Sequence, residues 1–421
     1  MKGIEELITR VVDSVKEEEV VSFASEITRI PSFTGEETAL ARWFQKFFEE
    51  RGYEVEMQEV PPHKGNFQPV ARLRGSGGGK DLMFNGHMDV EPLFLDCKDP
   101  WTPKRVGNRL EGWGLENMKG GVAAMIMAAE AVRKAGVKLK GDIIVCPVLG
   151  ELRAGTGTRH LIKKGVTADA AIVPEPYCCH DINTVTCGGV PFAINTKGRF
   201  SCMHEDFTPR GGQAIDALQK MLKILDALDE MKMTYKPWSK VPEAPTVYCG
   251  AIRAGRGRNH STRSAYFNVD FCTALIDVAT VPGQTPNTVL KDVKRTIEKL
   301  REEDPDIIYE IEFPQDPKYY AADTYMPPMD APVDMPIIQA IKRNYKRVTG
   351  DEIRSVGVPD IIPSDHAILY ANGIPAVCIG PTGDWVHEPG VRHYQYINID
   401  EMVLTTKVFA ATAVDFCSSE K

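Results

Sequence analysis

His87-Met-Asp89, Glu151 and Glu175 are the residues that together could carry out hydrolysis at a metal ion. A hydrolytic metal needs a few fixed nitrogen and oxygen ligands, an open coordination position and a base for the attacking water. His87 is the candidate imidazole ligand. Asp89, two residues on, is placed to hold the other ring N–H and set the tautomer. Glu175 offers an anionic ligand and Glu151 a general base. His387 is the candidate late-sequence histidine ligand, with His393 competing for that role. Each residue also has a plainer reading. A lone histidine beside a strand is more often a hydrogen-bonded structural group. Glu151 precedes a helix start at Thr156 and could serve the helix macrodipole. His204 could be a surface histidine, and Cys178, Cys179 and Cys272 packing residues.

Such side chains need rigid elements to hold them. Residues 81–87, 142–149 and 168–174 read as buried strands, residues 120–134 as an apolar, Ala-rich helix, and 4–28 and 36–52 as helices by their apolar spacing. Strands alternating with helices predict an α/β layered domain, whose sites gather at the carboxyl ends of the strands. His87, Glu151 and Glu175 fall at those ends. Near residue 187 the texture changes. A strand at 190–196, a helix at 211–231, a strand at 264–273, a helix at 291–303 and a strand at 307–313 predict a compact α+β unit. The α/β pattern resumes after the Pro-rich stretch 327–336. The expected organisation is a discontinuous catalytic domain (1–189 and 313–421) with an inserted unit (190–312).

The 421 residues exceed one ordinary core. A hydrophobic fraction of 43% excludes a disordered chain, and a net charge of −8 argues against a nucleic-acid or membrane-surface binder. The ten cysteines form no CxxC repeats, so a zinc ribbon is not expected. With no apolar signal segment and no apolar run of about 18 residues, the expectation is a cytoplasmic protein with reduced cysteines.

In order along the chain, His87-Met-Asp89, the turn Gly112-Trp-Gly-Leu-Glu-Asn-Met-Lys-Gly-Gly121, Gly150-Glu151-Leu152, Glu175-Pro176, His204, Ser364-Asp365, Gly373-Ile-Pro375 and His387 resemble the family of aminoacylases, succinyl-diaminopimelate desuccinylases and carboxypeptidase G. The likeness spans nearly the whole chain. It implies a catalytic α/β/α domain with a central mixed sheet and an inserted α+β lid and dimerisation domain. It also implies His87, Asn117, Glu175 and His387 around metal, Glu151 and Asp89 in catalysis, and His204 in catalysis and substrate binding, reaching a neighbouring subunit's site. Asn259 occupies the family's asparagine position in substrate binding.

The departures from the family pattern are specific. The family's metal-bridging aspartate is Asn117 here, and the second Glu of its Asp-Glu-Glu is Leu152, which cannot ligate. Two ions about 3.5–4 Å apart need a shared anion, so one weakly held divalent ion (zinc, manganese or cobalt) is expected. The neighbouring Glu116 could substitute, though one position off. The family's Asp-x-Arg is Asp270-Phe-Cys272, leaving Arg253, Arg256, Arg258 and Arg263 as candidates to bind a substrate carboxylate. The expected activity is hydrolysis of a C–N bond in a small carboxylate substrate. The altered metal site resembles the 5-nitroanthranilate aminohydrolase branch, which implies release of ammonia from an aromatic amino acid by nucleophilic aromatic substitution. The alternatives are a conventional N-acyl-amino-acid deacylase or metallopeptidase, and a non-catalytic binding protein of the same fold. A homo-oligomer, at least a dimer through the inserted unit, is expected.

Overall fold

The computed structural model describes residues 2–61, 64–93, 97–202, 214–262, 266–314, 325–388 and 392–421, without the side chains of 2, 387, 388, 392 and 393. It contains two compact units. The first comprises Met1–Thr186, Met329–Pro359 and Ser364–Lys421, and the second Cys187–Pro328 with Asp360–Pro363.

A nine-stranded mixed sheet organises the first unit. At its centre Leu82–His87 lies between Ile143–Val148 and Ala170–Val173, parallel to both, and Ala376–Cys378 runs parallel to Ala170–Val173 on the far side. These strands are buried along their length, which explains their continuous apolar sequences. Antiparallel strands flank them, Phe67–Leu73 against Ile143–Val148 and then Glu54–Glu59 outside it. Helices cover the sheet. Gly120–Lys134, buried at Gly120–Val132, packs against Ile399–Ser418, and Phe409 from that helix meets Phe84 of the central strand at 5.5 Å between rings. The region 4–28 is two helices, Lys2–Ser14 and Glu17–Thr28. A smaller sheet joins Lys104–Val106, Arg109–Glu111, Arg392–Asn398 and Gly383–Glu388.

The second unit is a four-stranded antiparallel sheet in the order Thr246–Gly255, Phe271–Thr280, Gly188–Lys197, Ile308–Glu312. Helices Ala217–Asp229 and Pro286–Glu303 pack on it, the latter opened by a capping box at Thr285. The strand expected at 264–273 begins only at Phe271 and runs to Thr280. Asn268 diverts the preceding chain: its side chain binds Ser201 N at 2.7 Å and Arg199 O at 2.9 Å. The junction expected at 312/313 also moves. Met326 still exchanges backbone hydrogen bonds with Gly189, and the chain joins the first sheet at Met329, opposite Thr186. No described helix is long and apolar enough to cross a membrane.

Candidate active site

The register of the three parallel strands brings the chemistry together. His87 ends its strand opposite Val148, and Glu151 follows three residues later in a short turn, Glu151–Arg153, entered through Gly150 at φ 65°. Glu175 follows Ala170–Val173 on the other side. Asn117 sits in a kinked helical turn, Leu115–Lys119, that leads into the helix Gly120–Lys134. Gly121 presses that helix start onto the Glu175 segment, where a Cβ would lie 1.9 Å from Pro174 O. Gly380 approaches from elsewhere, where a Cβ would lie 2.1 Å from Glu175 O.

His87 is 1% exposed. Its Nδ1 faces the Asp89 backbone carbonyl at 2.9 Å and its Nε2 faces Asn117 Oδ1 at 2.9 Å. The Asn117 amide is oriented by its own Nδ2, which donates to Glu91 Oε1 at 2.9 Å. Both imidazole nitrogens therefore meet acceptors, and only an imidazolium can donate to both. Burial pushes the His87 pKa down, but Asp89, Glu175 and Glu151 outweigh it and hold it well above the usual value. A cation resolves the same geometry differently. Nδ1–H would then donate to the carbonyl, leaving the Nε2 lone pair with Asn117 Oδ1 at 2.9 Å and Glu175 Oε1 at 3.8 Å as the residues to hold an ion.

The surrounding carboxyls also fit a cation. Burial raises Glu175 to about 7 and Asp365 to about 6, and raises Glu151 well above the carboxylate range. Asp365 is 1% exposed, and neither of its carboxylate oxygens accepts a well-aligned hydrogen bond, although the Thr158 hydroxyl is near enough to lower its pKa. Burial favours the protonated form of these carboxyls, and a divalent ion among them would supply the positive charge that lets them ionise. For a second ion the donors are thin. Leu152 contributes only its backbone N–H, which goes to Asp89 Oδ2 at 3.1 Å. Glu116 is engaged by the Trp385 indole N–H.

Asp89 meets His87 twice: its carbonyl makes the shorter contact to Nδ1, at 2.9 Å, and its carboxylate lies 3.5 Å from the same nitrogen, acting on the ring through hydrogen bonding and charge. It takes the Glu151 N–H at 3.1 Å, the Leu152 N–H and the Thr34 hydroxyl, so it fixes the turn that carries Glu151. His204 and Arg263 lie outside the described residues. His387 is in the strand Gly383–Glu388, opposite His393, and its side chain also lies outside the description. Asn259 is exposed in a turn of the second unit. Sequence reasoning missed Glu91, which holds the Asn117 amide, and Glu37, which accepts from Gly150 N at 3.1 Å. Glu91 continues the i, i+2 spacing of His87 and Asp89; Glu37 carries no such signal.

Residues 83–415 match the sequence profile of Peptidase family M20/M25/M40. The chain is 27% identical over 402 residues to the N-formyl-4-amino-5-aminomethyl-2-methylpyrimidine deformylase of Bacillus subtilis, covering 90% of this chain and 89% of that one. Among solved structures, a di-peptidase from Saccharomyces cerevisiae superposes with a TM-score of 0.77 at 14% identity, covering 98% of this chain and 99% of that one. A dinuclear metal-binding M20 peptidase of Bacillus subtilis superposes with a TM-score of 0.62 at 17% identity, covering 96% and 99%. The chain therefore belongs to peptidase family M20/M25/M40 and is a hydrolase acting on C–N bonds.

Proposed function

We propose that this protein hydrolyses the C–N bond of a small N-acyl amine of the formyl or acetyl class, using a single divalent ion. The observation that carries this reading is the convergence of His87 Nε2, Asn117 Oδ1 and Glu175 beside a buried Glu151, with no carboxylate at position 117 and an alkyl group at 152. The acyl class is favoured by the near full-length likeness to a deformylase. Zinc, manganese and cobalt all suit one imidazole, one carboxylate and one amide oxygen.

When bound, the ion supplies Lewis acidity toward the substrate carbonyl and acidifies a water. The side chains do the rest. Glu151 takes a proton from the attacking water and passes it to the leaving nitrogen as the C–N bond breaks. Burial holds the Glu151 carboxyl well above the usual carboxylate range, which strengthens it as a proton acceptor once a neighbouring positive charge lets it ionise. Asp89 positions both partners, orienting His87 through its carbonyl and the Glu151 turn through its carboxylate.

A second reading is replacement of an aromatic amine by hydroxyl, as on 5-nitroanthranilate. It is favoured by the neutral Asn117 ligand, which leaves an ion free to take a carboxylate and an amine from the substrate. The separating experiment is a panel of N-formyl amines, N-acetyl amino acids, dipeptides and aminobenzoates, with formate, acetate, amino acid and ammonia all assayed. Formate or acetate release that is abolished by His87→Ala supports the first reading, and ammonia from an aminobenzoate replaces it with the second. Turnover unaffected by chelation or by His87→Ala defeats both.

Two further proposals concern context. A reducing, cytoplasmic location is supported by ten free cysteines. Self-association through the second unit is supported by its edge strand, Thr246–Gly255, which exposes Tyr248 (56%) and Ile252 (43%).

A further inference from the structure

Beyond Glu175 the chain runs through Pro176, Tyr177 and Cys178 to Cys179 and His180, then into the strand Asp181–Thr186. Here Cys179, His180 and Glu401, the last from the first turn of the helix Ile399–Ser418, bring one ligand atom each within 4.8 Å of one another. Among the described residues no other trio of His, Cys, Asp or Glu does so. None of the three takes part in the proposed hydrolysis. We propose that Cys179, His180 and Glu401 form a second cation site, of the zinc class, separate from the one at His87 and Glu175.

The two distances from the thiol sulfur fit a tetrahedral ion. With bonds of about 2.3 Å to sulfur and about 2.0–2.2 Å to nitrogen and oxygen, neighbouring ligand atoms stand about 3.6 Å apart. Cys179 Sγ is 3.5 Å from His180 Nε2 and 3.6 Å from Glu401 Oε2. The ligands are also held from behind, as metal ligands are. His180 Nδ1 meets the Tyr345 hydroxyl at 2.5 Å, an oxygen able to accept its proton and leave the Nε2 lone pair toward the thiol. Glu401 Oε2 is fixed by the Thr382 N–H at 2.9 Å. One thiolate, one imidazole and one carboxylate select zinc or cobalt over magnesium or calcium. Cys179 is 2% exposed, so the bound ion would be shielded from bulk water on the sulfur side. Binding displaces the thiol proton to solvent and replaces the Cys179–Glu401 hydrogen bond with two coordinate bonds, the fourth position being left for a water.

The site would tie the segment after Glu175 to the long C-terminal helix. The plainer reading is a buried thiol that donates to Glu401 with no ion, and the two differ spectroscopically. The full-length protein is loaded with Co²⁺ alone as the His87→Ala/Glu175→Gln variant, which removes ligands of the other site. One tightly held equivalent with a near-ultraviolet thiolate-to-cobalt charge-transfer band is expected. Both are lost in the further variant Cys179→Ser and kept in Cys178→Ser. Glu401→Gln, which retains the thiol and the side-chain volume, is expected to weaken Zn²⁺ binding at least about tenfold with unchanged circular dichroism. Absence of a thiolate band in the loaded protein, its survival in Cys179→Ser, or unaltered affinity in Glu401→Gln overturns the proposal. Activity is not the readout, so failure here leaves the reading of the hydrolytic site intact.

Discussion

At the residue scale, the proposed chemistry rests on Glu151 and on the neutral side chains of Asn117 and Leu152. Glu151→Gln keeps the size and reach of the side chain but removes its basicity. It is expected to fold and bind metal as the parent does while turning over at least about two orders of magnitude more slowly. Turnover near the parent rate would place the base elsewhere. Asn117→Asp combined with Leu152→Glu supplies the missing anions, so bound metal measured after dialysis should rise from one ion to two at the proposed hydrolytic site, with peptidase activity not required to follow. The buried carboxyls also set a pH dependence. Glu175, raised to about 7, and Asp365, raised to about 6, hold protons in the folded chain that they would release unfolded. Each therefore subtracts stability as pH rises from its ordinary value toward its folded one. His366, driven by burial to about 3, works the other way between about 3 and its usual 6.5. A divalent ion at His87 and Glu175 removes the first penalty and leaves the second, so the melting-temperature gain from added Zn²⁺ or Mn²⁺ should grow from pH 5 to pH 7.5; a gain that shrinks over that range contradicts the ligand set. Much of this site is legible in sequence, because His87, Asp89, Glu151 and Glu175 each follow a buried apolar run that names its own strand. The supporting hydrogen bonds are not legible. That Asp89 uses its carbonyl on His87 and its carboxylate on the Glu151 turn depends on how a chain of two residues bends, which residue type does not encode.

At the element scale, close backbone contacts hold the segment that carries Glu175. The segment Pro174–Glu175 is approached by Gly121 on one side and Gly380 on the other. A Cβ at Gly121 would sit 1.9 Å from a backbone carbonyl that cannot step aside without moving Glu175. Gly121→Ala is therefore expected to cost about 1–3 kcal/mol of stability in denaturant unfolding and to weaken metal binding as well. Gly3→Ala, in the helix Lys2–Ser14 with nothing within 4 Å, is the control and should not destabilise. Equal behaviour of the two variants would mean the helix start is free to shift. The long buried elements could be read from sequence because apolar continuity or periodicity survives along their whole length, as in Gly120–Lys134. The second unit reads less well. The strand Thr246–Gly255 is not among those read from the sequence; Cys-Gly-Ala interrupts its β-forming run, and its register slips between Cys249 and Ala251. It is an edge strand with much of its surface exposed, so burial imprints little pattern on it.

At the scale of the whole molecule, the open question is whether one chain makes a complete active site. The strand Thr246–Gly255 lies at the edge of its sheet among the described residues and exposes Tyr248 and Ile252, and charges placed there, as in Tyr248→Glu with Ile252→Lys, should shift the sedimentation of an assembled protein toward monomer. Assembly alone would not show that subunits share a site; complementation does. If His204 serves the neighbouring chain, Glu151→Gln and His204→Ala homodimers are each impaired at both sites, for different reasons. In a mixed dimer the two lesions segregate. The site on the Glu151→Gln chain lacks its own base and the partner's histidine, whereas the site on the His204→Ala chain has its own Glu151 and receives an intact histidine from its partner. Random assembly from equal amounts makes half the dimers mixed, each with one intact site, so activity should recover to about a quarter of the parent's. If His204 acts within its own chain, every site in the mixture carries one lesion and co-expression restores nothing above the average of the two homodimers. A monodisperse, active monomer in the ultracentrifuge would remove the shared-site reading, and with it any need for the second unit to do more than serve its own chain.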